Sequence, residues 1–385
     1  MENTGIENIL KLKGLFEELD NLAAEYLKFA FGDNSTGNFN GSDTANIQGS
    51  KGFKIGNLKL NGALVAAPLA GISDNTFRIF SKAFGASLSY SEMISAYGIH
   101  FKNRETNSLS YITGYERPCG IQLFGSEPDI LLEAALAMQD KADIIDINMG
   151  CPVPKVLKTG SGGMLLADED KIAKIISAVA PNIKKPLTIK TRLGWDKNSI
   201  NIERVAKIAS ENGASAIVIH ARTVKQGFTG QADYSFIRKV KENLDIPVIA
   251  SGDIDSPQKA ADSIRETGCD AAMIGRALKG RQWILPGMNA AINTLANKDF
   301  ASSDTLAGQA YMHNIEPPVQ FLKSFAGLYL KFMIEFKGEI KALHEFRKML
   351  AWIFKGLRGI SRHKNEFFSI STEEDAIRVI ESINI

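Results

Sequence analysis

Cysteine is scarce in this 385-residue chain: three residues, Cys119, Cys151 and Cys269, lie far apart and never form a CxxC pair. That spacing excludes a disulfide framework and a clustered zinc site, and it suits a reducing compartment. An excess of one charge is also missing, since 45 Lys and Arg face 43 Asp and Glu for a net charge of +2. No whole-molecule basic field can therefore drive nucleic-acid binding, and any basic surface must be local. No stretch approaches the roughly 18 consecutive apolar residues of a membrane span, and the opening MENTG has neither a basic n-region nor an apolar h-region. The expectation is a cytoplasmic chain with no membrane segment and no bound metal. A hydrophobic content of 44% with 23% charged residues excludes fibrous and disordered compositions.

Residues 1–31 place Ile9, Leu12, Leu15, Phe16, Leu19, Leu22, Tyr26 and Phe29 at helical spacing, which predicts an amphipathic helix. Residues 32–54 are rich in Gly, Asn and Ser and read as a flexible linker. From Ala63 the texture changes to eight short apolar runs, beginning at Ala63, Ser87, Cys119, Asp143, Pro186, Ser215, Pro247 and Asp270. Several are nearly continuous hydrophobics, as strands buried on both faces should be, and amphipathic segments separate most of them. The pattern predicts an α/β fold, a (β/α)8 TIM barrel over residues 55–290, followed by a smaller all-helical domain over 291–385. A doubly wound open sheet is the competing architecture, but the GxGxxG turn expected after its first strand is absent.

In such a barrel the site lies at the C-terminal ends of the strands. The runs end in Pro68, Glu92, Gln122, Asn148 with Cys151, Lys190 with Arg192, His220 with Arg222, Ser251 with Asp253, and Gly275 with Arg276. Taken singly, each is ordinary loop chemistry, and a lone His is more often structural. Their recurrence at every strand end points to a site. The SGD and IGR turns after the last two strands pair glycines with Arg276, where barrels often hold phosphate. A phosphate-tailed cofactor with a ring over Gln122 and Lys190 suits this mouth, and flavin mononucleotide answers that description.

Eight segments, "APLAGISDNTFR", "SEM", "IQLFGSEP", "DINMGCPVPKVLKTGSGGMLL", "IKTRLGW", "IHARTVKQGFTGQADY", "IPVIASGDI" and "AAMIGRALKGRQWI", run in order from about Gly56 to Leu285. Together they resemble the tRNA-dihydrouridine synthases, and DINMGCP is most similar to the bacterial B type. The resemblance continues into "EFRKMLAWIFKGLRG", Glu345 to Gly359. It implies tightly bound FMN with NADPH as a transient reductant. Pro68, Leu69 and Ala70 would line the flavin, Gln122, Lys190 and His220 its ring or ribityl chain, and Ser251, Gly252, Asp253, Gly275 and Arg276 its phosphate side. The family usually has Asn at Ser251 and Met at Leu69. The implied reaction transfers hydride from reduced FMN to C6 of a uracil ring in tRNA, with Cys151 protonating C5. The B-type likeness points to a uridine of the D-loop.

A thiol of ordinary pKa about 8.5 is mostly protonated at neutral pH and so suits a general acid. Cys119 and Cys269, each beginning an apolar run, read instead as buried structural residues. Asn148 would hold the uracil edge or the flavin, and Arg192 the substrate. Lys155 and Lys158, with Gly160, Gly162 and Gly163, suit a mobile cationic loop closing over a polyanion. Residues 320–365 carry ten Lys or Arg against three Glu, a local balance of +7. Arg347 and Lys348 are the first choices there for tRNA contact, by likeness to the family's RNA-contacting helix, whereas Trp352 reads as core. The expected state is a monomer that binds tRNA and NADPH. Two rival readings stay open: a dihydroorotate dehydrogenase-like barrel acting on a free pyrimidine, and a non-catalytic RNA-binding protein.

Overall fold

All eight apolar runs form strands, and all eight join one closed parallel barrel. A computed structural model describes residues 2–32, 52–103, 106, 108–296 and 315–384. The strands are β3 (Leu64–Ala66), β4 (Leu88–Ser95), β5 (Cys119–Phe124), β6 (Ile144–Met149), β7 (Leu187–Arg192), β8 (Ala216–His220), β9 (Val248–Ser251) and β10 (Ala271–Ile274). They pair in sequence order, and β10 closes on β3. Nearly every residue of β3, β5, β6, β8, β9 and β10 is buried, because side chains on one face fill the barrel and those on the other meet the helical ring.

The intervening helices follow from local signals. Helix Pro257–Thr267 starts on Ser256, whose side chain accepts the Lys259 N–H, has Pro at its first position, and ends at Gly268 in the left-handed region at φ 69°. Helix Asn75–Ala83 is capped by Asp74, which accepts the Phe77 N–H. Its buried Arg78 meets Glu116 at 2.5 Å, with the carboxylate also accepting from Asn75 and the Thr113 backbone. A buried pair needs such additional hydrogen bonds to offset the loss of water.

Most of the expected linker, residues 33–51, lies outside the described residues. Its end does not stay a linker: β1 (Phe53–Ile55) pairs antiparallel with β2 (Leu58–Leu60). The turn glycine Gly56, at φ 56°, sits against Pro186 and Ser215, which precede β7 and β8. The hairpin therefore covers the end of the barrel opposite the strand-end residues, and buries Ile55 and Leu60. Its three-residue strands are too short for a periodicity to register.

Helix Leu285–Ala296 runs unbroken across the expected boundary at 290 and packs on the barrel, with Asn289 bonded to the Gly85 carbonyl. Beyond it, helices Val319–Lys337, Glu339–Ile353, Lys364–Ser369 and Glu373–Ser382 form the helical region. The N-terminal helix Glu2–Phe31 lies in the same core as barrel and helical region, burying Leu15, Leu19, Leu22, Ala23 and Tyr26.

Candidate active site

Strand register sets the candidate residues side by side. Gln122 pairs with Asp146, Asn148 with Lys190, Arg192 with His220, and His220 with Ser251. Parallel neighbours at one level point their side chains to one face, so residues far apart in sequence share one floor. Above it lies a cavity of about 730 Å³. Its wall includes Pro68, Leu69, Ala70, Gln122, Asn148, Cys151, Lys190, Arg192, His220, Ser251, Gly252, Asp253, Gly275 and Arg276, all from the strand ends.

Cys151 is half-buried on the loop after β6. Its backbone N–H donates to Asn148 Oδ1 at 2.9 Å, and its carbonyl accepts from Gly163 at 3.0 Å. Burial pushes the thiol above its ordinary pKa, while a bond from the Val153 N–H and the cations Arg192 and Lys190 pull the other way. The group is a protonated thiol at neutral pH, beside cations that favour its thiolate. Cys119 and Cys269 are buried at the opposite strand ends, and burial pushes both thiols up, to about 12 and about 11.

The glycines that follow Cys151 serve close packing. Gly162 is at φ 62°, and a Cβ there would lie 2.8 Å from Val156 and 3.1 Å from the Cys151 carbonyl; at Gly163 it would lie 2.7 Å from Val224. The segment folds as helix Pro154–Leu157 and a 3-10 turn, Gly162–Ala167, that back the cysteine loop. At Gly162 and Gly163 the missing side chain is thus required by tight fit against neighbours. Lys155 and Lys158 are exposed on the outer side.

Cations dominate the wall. Lys190, Arg192, Arg276, Lys279, Arg281 and Lys355 face the cavity against Asp253 and Asp255. Lys190 is pushed down to about 8 by burial and by Arg192, with Asp146 holding it up. His220 is held far below its ordinary value by burial and then by Lys190, Arg192, Arg222 and Arg276, so it is a neutral imidazole. Arg222, itself buried, forms an ion pair with Asp253, which also holds Arg276 at 3.1 Å. Asp253 therefore orients two arginines beside the cavity. Gly252, at φ 119°, lets the backbone pass where a Cβ would sit 2.9 Å from His220.

The residues fit a flavin mononucleotide. The ammonium of Lys190 has no hydrogen-bond partner among the described residues and borders the cavity, as an electron-rich ring edge requires. At Gly275, φ is negative and a Cβ would meet only Ala67 at 3.7 Å and Leu69 at 3.8 Å, so the missing side chain widens the wall beside Arg276. The guanidinium of Arg276 lies 4.5 Å from the Phe228 ring centroid, nearly half exposed. It is placed to receive an anion.

Residues 64–384 match the family model described as dihydrouridine synthase. The chain belongs to that family. It is 44% identical to tRNA-dihydrouridine synthase B of Xanthomonas campestris over 60% of this chain and 70% of that one. It is 35% identical to the protein of that name from Vibrio parahaemolyticus over 86% of this chain and 98% of that one. With the Pseudomonas aeruginosa protein, also of that name, it shares 36% identity over 82% of this chain and 90% of the other.

Within the dihydrouridine synthase frame, several expected residues take other partners. Arg192 lines the cavity, but its guanidinium bonds the carbonyls of Gly150, Thr223 and Gly227 and so ties two loops together. Asn148 has both ends of its amide engaged within the protein, with Gln122 and with the Cys151 loop. Glu92 accepts from the Gly71 N–H and is absent from the lining, where Met93 stands instead. Of the two residues expected at the tRNA, Arg347 donates twice to the Ile370 carbonyl, and Lys348 is exposed. Trp352, expected as core, is only half-buried, and its face lines the cavity with Lys279 Nζ 5.0 Å from the ring centroid. Phe228, Lys279, Arg281 and Lys355 also line the wall and carry no strand-end signal. Asp146, buried beneath the floor, is the other residue that pattern reading passes over.

Proposed function

We propose that this chain reduces uridine to 5,6-dihydrouridine in tRNA, at a D-loop position, as a cytoplasmic monomer that uses FMN and NADPH. The observation that carries the reading is a protonated thiol, Cys151, on the rim of a cationic cavity whose wall suits a flavin. Bound FMN, reduced by NADPH, would supply the hydride. Pro68, Leu69, Ala70, Gln122, Lys190 and His220 would border its ring and chain, with Ser251, Gly252, Gly275 and Arg276 at the phosphate. Cys151 gives its proton to C5 of the uracil, and the cations Lys190 and Arg192 stabilise the thiolate left behind.

A uracil in folded RNA must be unstacked to enter such a cavity, at a cost of a few kcal/mol. The cations Lys279 and Lys355 in the cavity wall, with the Trp352 ring against Lys279, favour a polyanionic substrate over a free pyrimidine. Three unpaired cysteines and the likeness to cellular tRNA-modifying enzymes support the cytoplasm.

The test is the mass-spectrometric dihydrouridine content, mapped by position, of unmodified tRNA incubated with the protein, FMN and NADPH. Wild type is expected to form dihydrouridine in the D-loop. Cys151→Ala is expected to keep the yellow cofactor and lose roughly 10²-fold to 10⁴-fold in rate. Reduction of free uracil or orotate without reduction of tRNA overturns the substrate, and near-normal turnover by Cys151→Ala overturns the acid.

A further inference from the structure

A carboxylate lies under the floor of the cavity without touching it. Asp146 is 1% exposed, on β6 two residues before Asn148. Its Oδ1 accepts the Thr188 hydroxyl at 2.6 Å, and its Oδ2 accepts the Gln122 Nε2–H at 2.7 Å. The other end of that amide, Gln122 Oε1, accepts Asn148 Nδ2–H at 2.8 Å. Asn148 Oδ1 in turn accepts the backbone N–H groups of Cys151 at 2.9 Å and Gly150 at 3.2 Å. An unbroken series of hydrogen bonds thus runs from the barrel interior to the loop that carries the thiol.

The chain of bonds has a direction. An ionised carboxylate can only accept, so Gln122 must turn its NH2 downward and its carbonyl toward Asn148. Asn148 must then turn its NH2 toward Gln122, which leaves its oxygen for the Cys151 N–H. Neither amide can flip without setting donor against donor or acceptor against acceptor in a buried site, where each unmet group is costly. Burial pushes Asp146 up to about 7, so the ionised form that this polarity requires is held at and above neutral pH by the hydrogen bonds from Thr188 and Gln122 and by the charge of Lys190.

We propose that Asp146 is a positioning residue: its two carboxylate oxygens dictate the orientation of the Gln122 and Asn148 amides and thereby the backbone of Cys151. The inference rests on the reading above only for the role of Cys151 as the reacting thiol. The hydrogen-bond direction itself is independent of tRNA.

Asp146→Asn tests it. Thr188 still donates to residue 146, because the buried Tyr90 hydroxyl lies against it at 3.5 Å and turning Thr188 to accept would leave one of the two hydroxyls without an acceptor; it claims the oxygen of the new amide, whose NH2 then faces the NH2 of Gln122. Relief requires both amides to flip, which puts Asn148 Nδ2 against the Cys151 N–H. The double variant Asp146→Asn with Gln122→Glu restores the direction, because a carboxylate at 122 accepts from both neighbours. Hydrogen exchange is measured on the peptide spanning residues 148–153 in the full chain, with and without FMN. Asp146→Asn is expected to speed exchange at Gly150 and Cys151 about tenfold, the loss of one net hydrogen bond, with strands β5 to β8 unchanged. The double variant is expected to return those two amides to wild-type protection. Wild-type exchange in Asp146→Asn overturns the proposal, as does failure of the double variant to restore protection. A rise across all of β5 to β8 would make Asp146 a folding residue and overturn it too. Loss of tRNA reduction by wild type would instead strike the functional reading and leave these exchange results standing.

Discussion

An ammonium anchors an anion only while it is protonated, and Lys190 is pushed down to about 8 by burial and by Arg192. As pH rises through 8 the side chain becomes neutral in the folded protein, although an unfolded lysine would keep its charge to about 10.4. Affinity for FMN is therefore expected to fall between about pH 7 and 9, well below the range of an ordinary lysine. Flavin fluorescence quenching across that range checks it, and in Lys190→Met this limb should vanish from an already weaker binding curve. A pH-independent affinity in wild type would mean that Lys190 bears no charge toward the cofactor. The strand-end position of Lys190 is legible because a cation closing an apolar run has few structural uses. Asp146 is not legible that way. Its partners Gln122 and Thr188 lie 24 and 42 residues away, and a carboxylate within "DIIDINMG" declares only that some partner must exist.

At the scale of elements, the apolar runs reveal the barrel because parallel strands buried on both faces leave a nearly unbroken hydrophobic signature. Which face of a helix meets the cavity is harder to read, since it depends on packing against elements distant in sequence. Helix Glu339–Ile353 shows the difference. Its basic run is plain, yet Arg347 turns back to the Ile370 carbonyl while Trp352 turns to the cavity. Lys348 lies one helical turn before Trp352, and Lys355 follows in the turn after the helix, where it lines the cavity with Trp352. Lys348→Ala with Lys355→Ala is expected to weaken tRNA binding and to lower its salt slope by about one for each phosphate no longer neutralised. Arg347→Ala is expected to leave that slope unchanged and to destabilise the helical region instead, because both hydrogen bonds to Ile370 disappear. Binding titrations from about 50 to 200 mM salt separate the two outcomes. A flattened slope in Arg347→Ala alone would return that residue to the RNA footprint.

Over the whole molecule, the N-terminal helix changes what counts as one cooperative unit. Its amphipathic spacing is visible in the sequence, but its partner is not, because the aromatic residues that receive it come from both later parts of the chain. Tyr26 meets Phe84 of the barrel at 6.1 Å and Phe321 of the helical region at 5.1 Å. Phe16 stacks on Tyr115 at 4.5 Å and lies 5.6 Å from Phe332. Phe80 and Phe84 of the barrel continue the cluster into Phe325, Tyr329 and Phe332. Apolar area shared this way stabilises the barrel and the helical region jointly, since separating them uncovers all of it. Leu19 lies fully buried on that helix, so Leu19→Ala is expected to cost about 2–5 kcal/mol. If the parts are one unit, the cost lowers a single denaturant midpoint, read identically by far-UV circular dichroism and by the fluorescence of Trp195, Trp283 and Trp352. Two midpoints, with only the transition of the helical region moved by the substitution, would show that the barrel folds without its N-terminal helix and holds the cofactor site by itself.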